Sequence, residues 1–112
     1  MQNISAQQLK DMMDKQPDLT LINVLDNEQF HMKNVPGSIN VPVAKDHFPE
    51  KVEKETGGKD APVVVYCASM DCKASEKAAK ELEEAGFTEV YDFVGGVKAW
   101  NAAGYTLVKS GA

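Results

Sequence analysis

Hydrophobic and polar positions alternate along the chain in two distinct rhythms. Leu9, Met12 and Met13 fall at helical spacing behind Ser5, a good N-cap residue, and Gln16-Pro17 ends the segment, so Ser5–Asp14 is read as a short amphipathic helix. The methionines belong to its buried stripe. Leu19–Leu25 is a near-continuous apolar run with Asn23 its one strongly polar member, the pattern of a strand covered on both faces. Asp26 then caps one or two helical turns through Met32, and Val35-Pro36-Gly37-Ser38 is turn chemistry. Ile39–Pro42 is a short strand whose proline suits a sheet edge or a strand end. Asp46–Glu55 is a charged helical segment with Phe48 and Val52 facing inward, and Thr56–Asp60 is a loop.

The second half repeats the alternation. Pro62 introduces Val63-Val64-Val65-Tyr66, a strand that ends on Cys67. A small-and-polar loop follows, and a helix begins at about Ala74, with Ala74, Ala78, Leu82 and Ala85 on one face, Ala79 beside them, and Gly86 closing it. Glu76/Lys80, Lys77/Glu81 and Lys80/Glu84 line the opposite face as exposed i,i+4 pairs, each contributing only about 0.2–0.5 kcal/mol. Glu89–Val94 is the last clear strand, Gly95-Gly96 a turn, and Val97–Ala103 a final helix carrying Trp100. Strands alternate with helices throughout, which predicts an α/β class with a mainly parallel sheet.

Length and charge narrow this reading. A chain of 112 residues supports one hydrophobic core, so residues 1–112 are expected to form a single domain. The net charge of −5, with 12 basic residues scattered rather than clustered, argues against nucleic acid or an anionic membrane as partner. Met1–Ser5 lacks a basic n-region and an apolar core, and no apolar run approaches the ~20 residues of a membrane span, so a cytoplasmic protein is expected. His31 and His47 show no ligand spacing, and two cysteines alone make no zinc site; no metal and no cofactor are expected.

The chemistry points to Cys67. It stands at the carboxyl end of a strand, where open parallel sheets bind ligands, and a helix N-terminus follows it. Loop amides converging in front of that helix make an anion cradle. A free thiol titrates near about 8.5, and the helix dipole contributes at most ~2 kcal/mol, or roughly 1.5 pH units. Together with the loop amides this is expected to bring Cys67 close to or below neutrality. Lys73 would assist, Asp71 is expected to point to solvent, and Ser69 is a candidate hydroxyl donor to the bound anion. Cys72, with four residues between it and Cys67, is either a second redox or transfer thiol or plain loop packing.

Several stretches in order resemble a single-domain rhodanese: the Tyr66-Cys67 strand end; Phe30, five residues, then Pro36-Gly37-Ser38-Ile39-Asn40-Val41-Pro42; Glu84-Ala85-Gly86-Phe87; and Val94-Gly95-Gly96-Val97-Lys98-Ala99-Trp100. The resemblance runs from Ile4 to about Leu107. It implies a rhodanese-like five-stranded, mainly parallel sheet with helices on both faces, and a catalytic cysteine, matching Cys67, that carries sulfane sulfur as a persulfide. The active-site loop would be Ala68, Ser69, Met70, Asp71, Cys72 and Lys73. Sulfur would come from thiosulfate, polysulfide or a small persulfide and pass to cyanide, a thiol or a protein cysteine.

Three departures from the family pattern stand out. Asn23-Val24-Leu25 replaces the usual Asp-Val-Arg, and Asn34 stands where a histidine usually precedes the Pro-Gly turn. The stretch from Cys67 to the helix is about two residues longer than usual and contains no arginine. The last departure favours polysulfide or persulfide donors over the thiosulfate dianion, because one lysine is a weak receptor for it. The competing expectations are a redox-sensing or binding module built on the Cys67/Cys72 pair and, further off, a phosphatase or arsenate reductase of the same fold.

Overall fold

A computed structural model describes residues 1–109. Five strands and five helices follow one another: β1 (Gln2–Ile4), α1 (Ala6–Lys15), β2 (Thr20–Asn23), α2 (Asn27–Met32), β3 (Ile39–Asn40), α3 (Phe48–Thr56), β4 (Val63–Tyr66), α4 (Ala74–Glu84), β5 (Val90–Phe93) and α5 (Gly96–Ala102). The strands form one sheet in the order β1-β5-β4-β2-β3, and every pairing is parallel. β4 is therefore central, and its residues alternate between two buried layers. Val63, Val65 and Cys67 pack with Phe48 and Val52 of α3 and with Ala78, Ala79 and Leu82 of α4. Val64 and Tyr66 pack on the other face with Leu9 of α1 and Trp100 of α5. Helices on both faces explain why β2 and β4 read as unbroken apolar runs.

Local chemistry sets most element ends as the sequence leads one to expect. Ser5 and Gln8 form a reciprocal capping box on α1, and Asp26 caps α2 by accepting from the Gln29 N–H at 2.8 Å. α4 stops where Gly86 adopts φ +102° and the Phe87 N–H reaches back to the Leu82 carbonyl at 3.0 Å. β3 is an edge strand, as Pro42 suggested.

The differences have physical reasons. The residue pattern alone gave four strands, because β1 is three residues long with a single apolar member, Ile4, facing the core. α3 starts at Phe48 rather than Asp46: His47 takes a left-handed φ of +64° ahead of it, and Pro49 sits in the first turn, where its missing N–H costs nothing. α5 begins one residue early, at Gly96. Of the three expected surface pairs on α4, only Lys80–Glu76 is formed, at 3.4 Å.

Candidate active site

β4 ends directly on Cys67, whose side chain turns toward α4 and is 0% exposed. Residues 68–73 then cross from the sheet to the start of α4. Ala68 and Ser69 are half-buried, and the Ser69 carbonyl accepts the Cys72 N–H at 3.1 Å, closing a turn. Met70 stands 69% exposed at the loop tip, and Asp71 faces solvent as expected. Cys72 is half-buried beneath this turn. Lys73 is exposed and occupies the N-cap position of α4, accepting the Lys77 N–H through its carbonyl at 3.1 Å rather than through its side chain.

The start of α5 clamps the β4 end from the other side. The Val97 N–H donates to the Cys67 carbonyl at 3.0 Å, and the Lys98 N–H donates to the Ala68 carbonyl at 2.9 Å. Gly96 makes this approach possible: its φ is +58°, and a Cβ there would lie 2.1 Å from the Cys67 carbonyl oxygen. The Gly95-Gly96 pair, a plain turn in the sequence reading, is thus the seat of the site loop.

The electrostatics differ from the expectation of a thiolate. Burial pushes the Cys67 thiol up from its ordinary value, and the neighbouring Cys72 side chain pushes it further in the same direction. The Ser75 hydroxyl and the Ser75 backbone N–H act the other way. The net direction is upward, and the Cys67 sulfur is directed at the Cys72 carbonyl oxygen 3.5 Å away. Helix dipole and amides were visible in the sequence; the depth of burial that outweighs them was not. The amide cradle is also smaller than expected, because the Cys72 N–H is consumed within the loop and it is the first turn of α4 that faces the sulfur.

Two residues at this site were missed by sequence reasoning. Ser75, 2% exposed in the first turn of α4, acts to lower the Cys67 thiol. Asp92 of β5, also 2% exposed, lies below the same turn of α4, and the Ser75 side chain acts on its carboxyl as well. Asp92 shares its register with Val65 and follows Val90, an inward-facing position. An acid at the inward position of a buried strand is the signal that could have revealed it. Cys67 and Cys72 are both free thiols. Among the described residues no three His, Cys, Asp or Glu side chains converge as a metal-binding group.

A groove of about 410 Å³ beside the loop is lined by Leu25, Met32, Val97 and Leu107, by Lys33 and Lys98, and by Ala68. It adjoins the backbone of the loop. No helix among the described residues is long and apolar enough to cross a membrane.

Comparison with known proteins gives a consistent result. Residues 5–103 match the family model described as Rhodanese-like domain. The thiosulfate sulfurtransferase GlpE of Pseudoalteromonas translucida is 34% identical over 104 residues, spanning 90% of this chain and 90% of the relative. Among solved structures, a thiosulfate sulfurtransferase from Pseudomonas aeruginosa superposes with a TM-score of 0.88 at 20% identity; the match covers 100% of this chain but only 21% of that one. The polysulfide-sulfur transferase homodimer of Wolinella succinogenes superposes with a TM-score of 0.74 at 26% identity, covering 98% of this chain and 80% of that one.

Proposed function

Because this chain belongs to the rhodanese-like family, we propose that it is a sulfurtransferase in which Cys67 is the nucleophile, drawing on polysulfide or small persulfide donors in preference to thiosulfate. The observation that carries the reading is the position of Cys67: the end of the central strand, packed against α4 and followed by the loop that leads into that helix.

In the first half-reaction the Cys67 thiolate attacks a sulfane sulfur and breaks its S–S bond. The donor's remainder leaves as sulfite from thiosulfate, a shorter polysulfide from polysulfide or a thiolate from a small persulfide, and Cys67 holds the transferred sulfur as a persulfide. A thiophile, either cyanide, a thiol or a partner's cysteine, then attacks that outer sulfur and regenerates the Cys67 thiolate. Two half-reactions sharing one covalent intermediate give ping-pong kinetics. No redox cofactor enters the balance. Two free thiols suit a reducing, cytoplasmic setting.

The donor preference follows from charge. All 12 basic residues are lysine, so no arginine anywhere in the chain can clamp a thiosulfate dianion through a planar pair of hydrogen bonds. Lys73, the lysine nearest the loop's end, is exposed. The Wolinella structure is named for polysulfide-sulfur transfer and the 34% identical Pseudoalteromonas relative for thiosulfate, so the preference rests on charge. The test is steady-state transfer to cyanide with each donor. A higher kcat/KM for polysulfide or a persulfide is expected, and an equal or higher value for thiosulfate would remove the donor assignment.

One observation favours a second reading, a thiol pair that senses oxidants without turnover: the two free cysteines adjoin, the Cys67 S–H donating to the Cys72 backbone carbonyl at 3.5 Å. Thiol counting before and after mild oxidation, set beside turnover with polysulfide, separates the two. The phosphatase or arsenate reductase reading is weakened by the same lack of arginine, since Lys73 gives no bidentate clamp.

A further inference from the structure

The 12 lysines are scattered along the sequence, yet the fold gathers three of them around one cavity of about 630 Å³. Lys51 and Lys54 stand three residues apart on one face of α3. Lys45 reaches the same cavity from the segment before α3, where its N–H donates to the Pro42 carbonyl at 3.2 Å and closes a turn. None of the three is in an ion pair among the described residues, although Lys51 and Glu55 are i,i+4 neighbours on α3 and both line the cavity. Glu55 is the one acid in the lining among the described residues, so the walls carry two net positive charges. In a chain of net charge −5 this is a local reversal of sign. Cations held around one cavity repel one another, and an anion placed between them relieves that repulsion.

The rest of the lining says what else the ligand carries. The Asn40 carboxamide is fixed by donating to the Asn23 carbonyl at 3.1 Å and to the Leu25 carbonyl at 2.9 Å. Both of its amide hydrogens are thereby used, and its oxygen is left to accept. The Glu55 carboxylate is likewise an acceptor only. A ligand that satisfies both must donate, as hydroxyl groups do. Val41 and Pro42 supply the apolar part of the wall, and no aromatic ring among the described residues lines the cavity to stack a nucleobase. Lysine meets phosphate as a point charge and needs no planar fork, so three lysines without an arginine suit a phosphate monoester better than a carboxylate. Its dianion balances the two net positive charges. The volume lies in the range of small-ligand sites and leaves room beyond the phosphate itself.

We propose that this cavity binds a sugar phosphate, with Lys45, Lys51 and Lys54 holding the phosphate and with sugar hydroxyls donating to Asn40 and Glu55. Cys67 is not part of the lining, so the site stands or falls independently of sulfur transfer.

The test is a titration of the isotopically labelled protein with glucose-6-phosphate, followed by the NMR shifts of its backbone amides, with glucose, inorganic phosphate and AMP titrated in parallel. Saturable shifts at residues 40–45 and 51–55 are expected with glucose-6-phosphate and none with glucose. Inorganic phosphate and AMP are expected to bind there at least about tenfold more weakly, the first for want of hydroxyl contacts and the second because its base finds no partner. Lys51→Gln and Lys54→Gln are each expected to weaken glucose-6-phosphate at least about fivefold, and added salt is expected to weaken it in the parent protein. Both lysines are exposed, so these variants are expected to fold, and the amide shifts elsewhere in the chain report that directly. A parent protein without saturable shifts at these residues, or lysine variants that bind as tightly as the parent, would overturn the proposal. Inorganic phosphate binding as tightly as glucose-6-phosphate would remove the sugar, and AMP binding as tightly or more so would replace it with a nucleotide; either result overturns the assignment. If a lysine variant does not fold, the comparison of the four probes on the parent protein decides alone.

Discussion

A Cβ on Gly96 would lie 2.1 Å from the carbonyl oxygen of Cys67, so the backbone of α5 and the end of β4 are in contact at the one place where the chain has no side chain to separate them. The same approach lets the Val97 and Lys98 N–H groups satisfy the Cys67 and Ala68 carbonyls. Gly96→Ala is therefore expected to destabilise the fold by roughly 1–3 kcal/mol from the positive φ alone, with the clash added to that. A urea titration should show the lower midpoint. Gly104, also at positive φ but with open space around it, should lose less on the same change.

Tyr66 anchors the Pro36-Gly37 turn. Its hydroxyl, on a fully buried side chain, accepts the Val35 N–H at 3.0 Å and lies 2.8 Å from the Ser38 hydroxyl. Because Ser38 donates to the Val35 carbonyl at 2.7 Å, the Tyr66 O–H is left to donate to Ser38. Tyr66→Phe would strand the Val35 N–H in a dry interior, at a cost of about 1–3 kcal/mol. Thermal unfolding should report it, with Cys67 alkylation far less affected.

Asp92 gives the fold a pH dependence whose sign is set by its raised carboxyl. The native state holds the Asp92 proton more tightly than the unfolded chain, so this group's contribution is fully present below the unfolded carboxyl's titration. It is lost as pH rises through the folded one. Asp92→Asn cannot ionise. The variant is expected to match the parent protein most closely in acid and to gain on it in melting temperature as pH rises toward neutrality. A gap of constant size across that range would contradict the assignment.

The parts of this molecule legible in its sequence are those determined by neighbours along the chain. The Val63–Tyr66 run, the loop after Cys67 and the alanine face of α4 each carry their own periodicity, and together they gave the strand, the loop and the helix in the right order. β1 escaped because three residues with one inward side chain make no pattern. The site itself was half legible. Cys67 and the α4 N-terminus adjoin in sequence, whereas Asp92 reaches them only through the pairing of β5 with β4, a contact that no local pattern encodes. The direction of the Cys67 shift was misjudged for the same reason: dipole and amides come from the nearby chain, while burial comes from α3, α4 and the flanking strands.

The central claim, that Cys67 carries transferred sulfur, is tested most directly by intact mass after incubation with a polysulfide, on the parent protein, Cys67→Ser and Cys72→Ser. The account predicts a one-sulfur adduct on the parent protein and on Cys72→Ser, none on Cys67→Ser, and its removal by cyanide. A parent protein that takes up no sulfur, or an adduct that persists in Cys67→Ser, would contradict it.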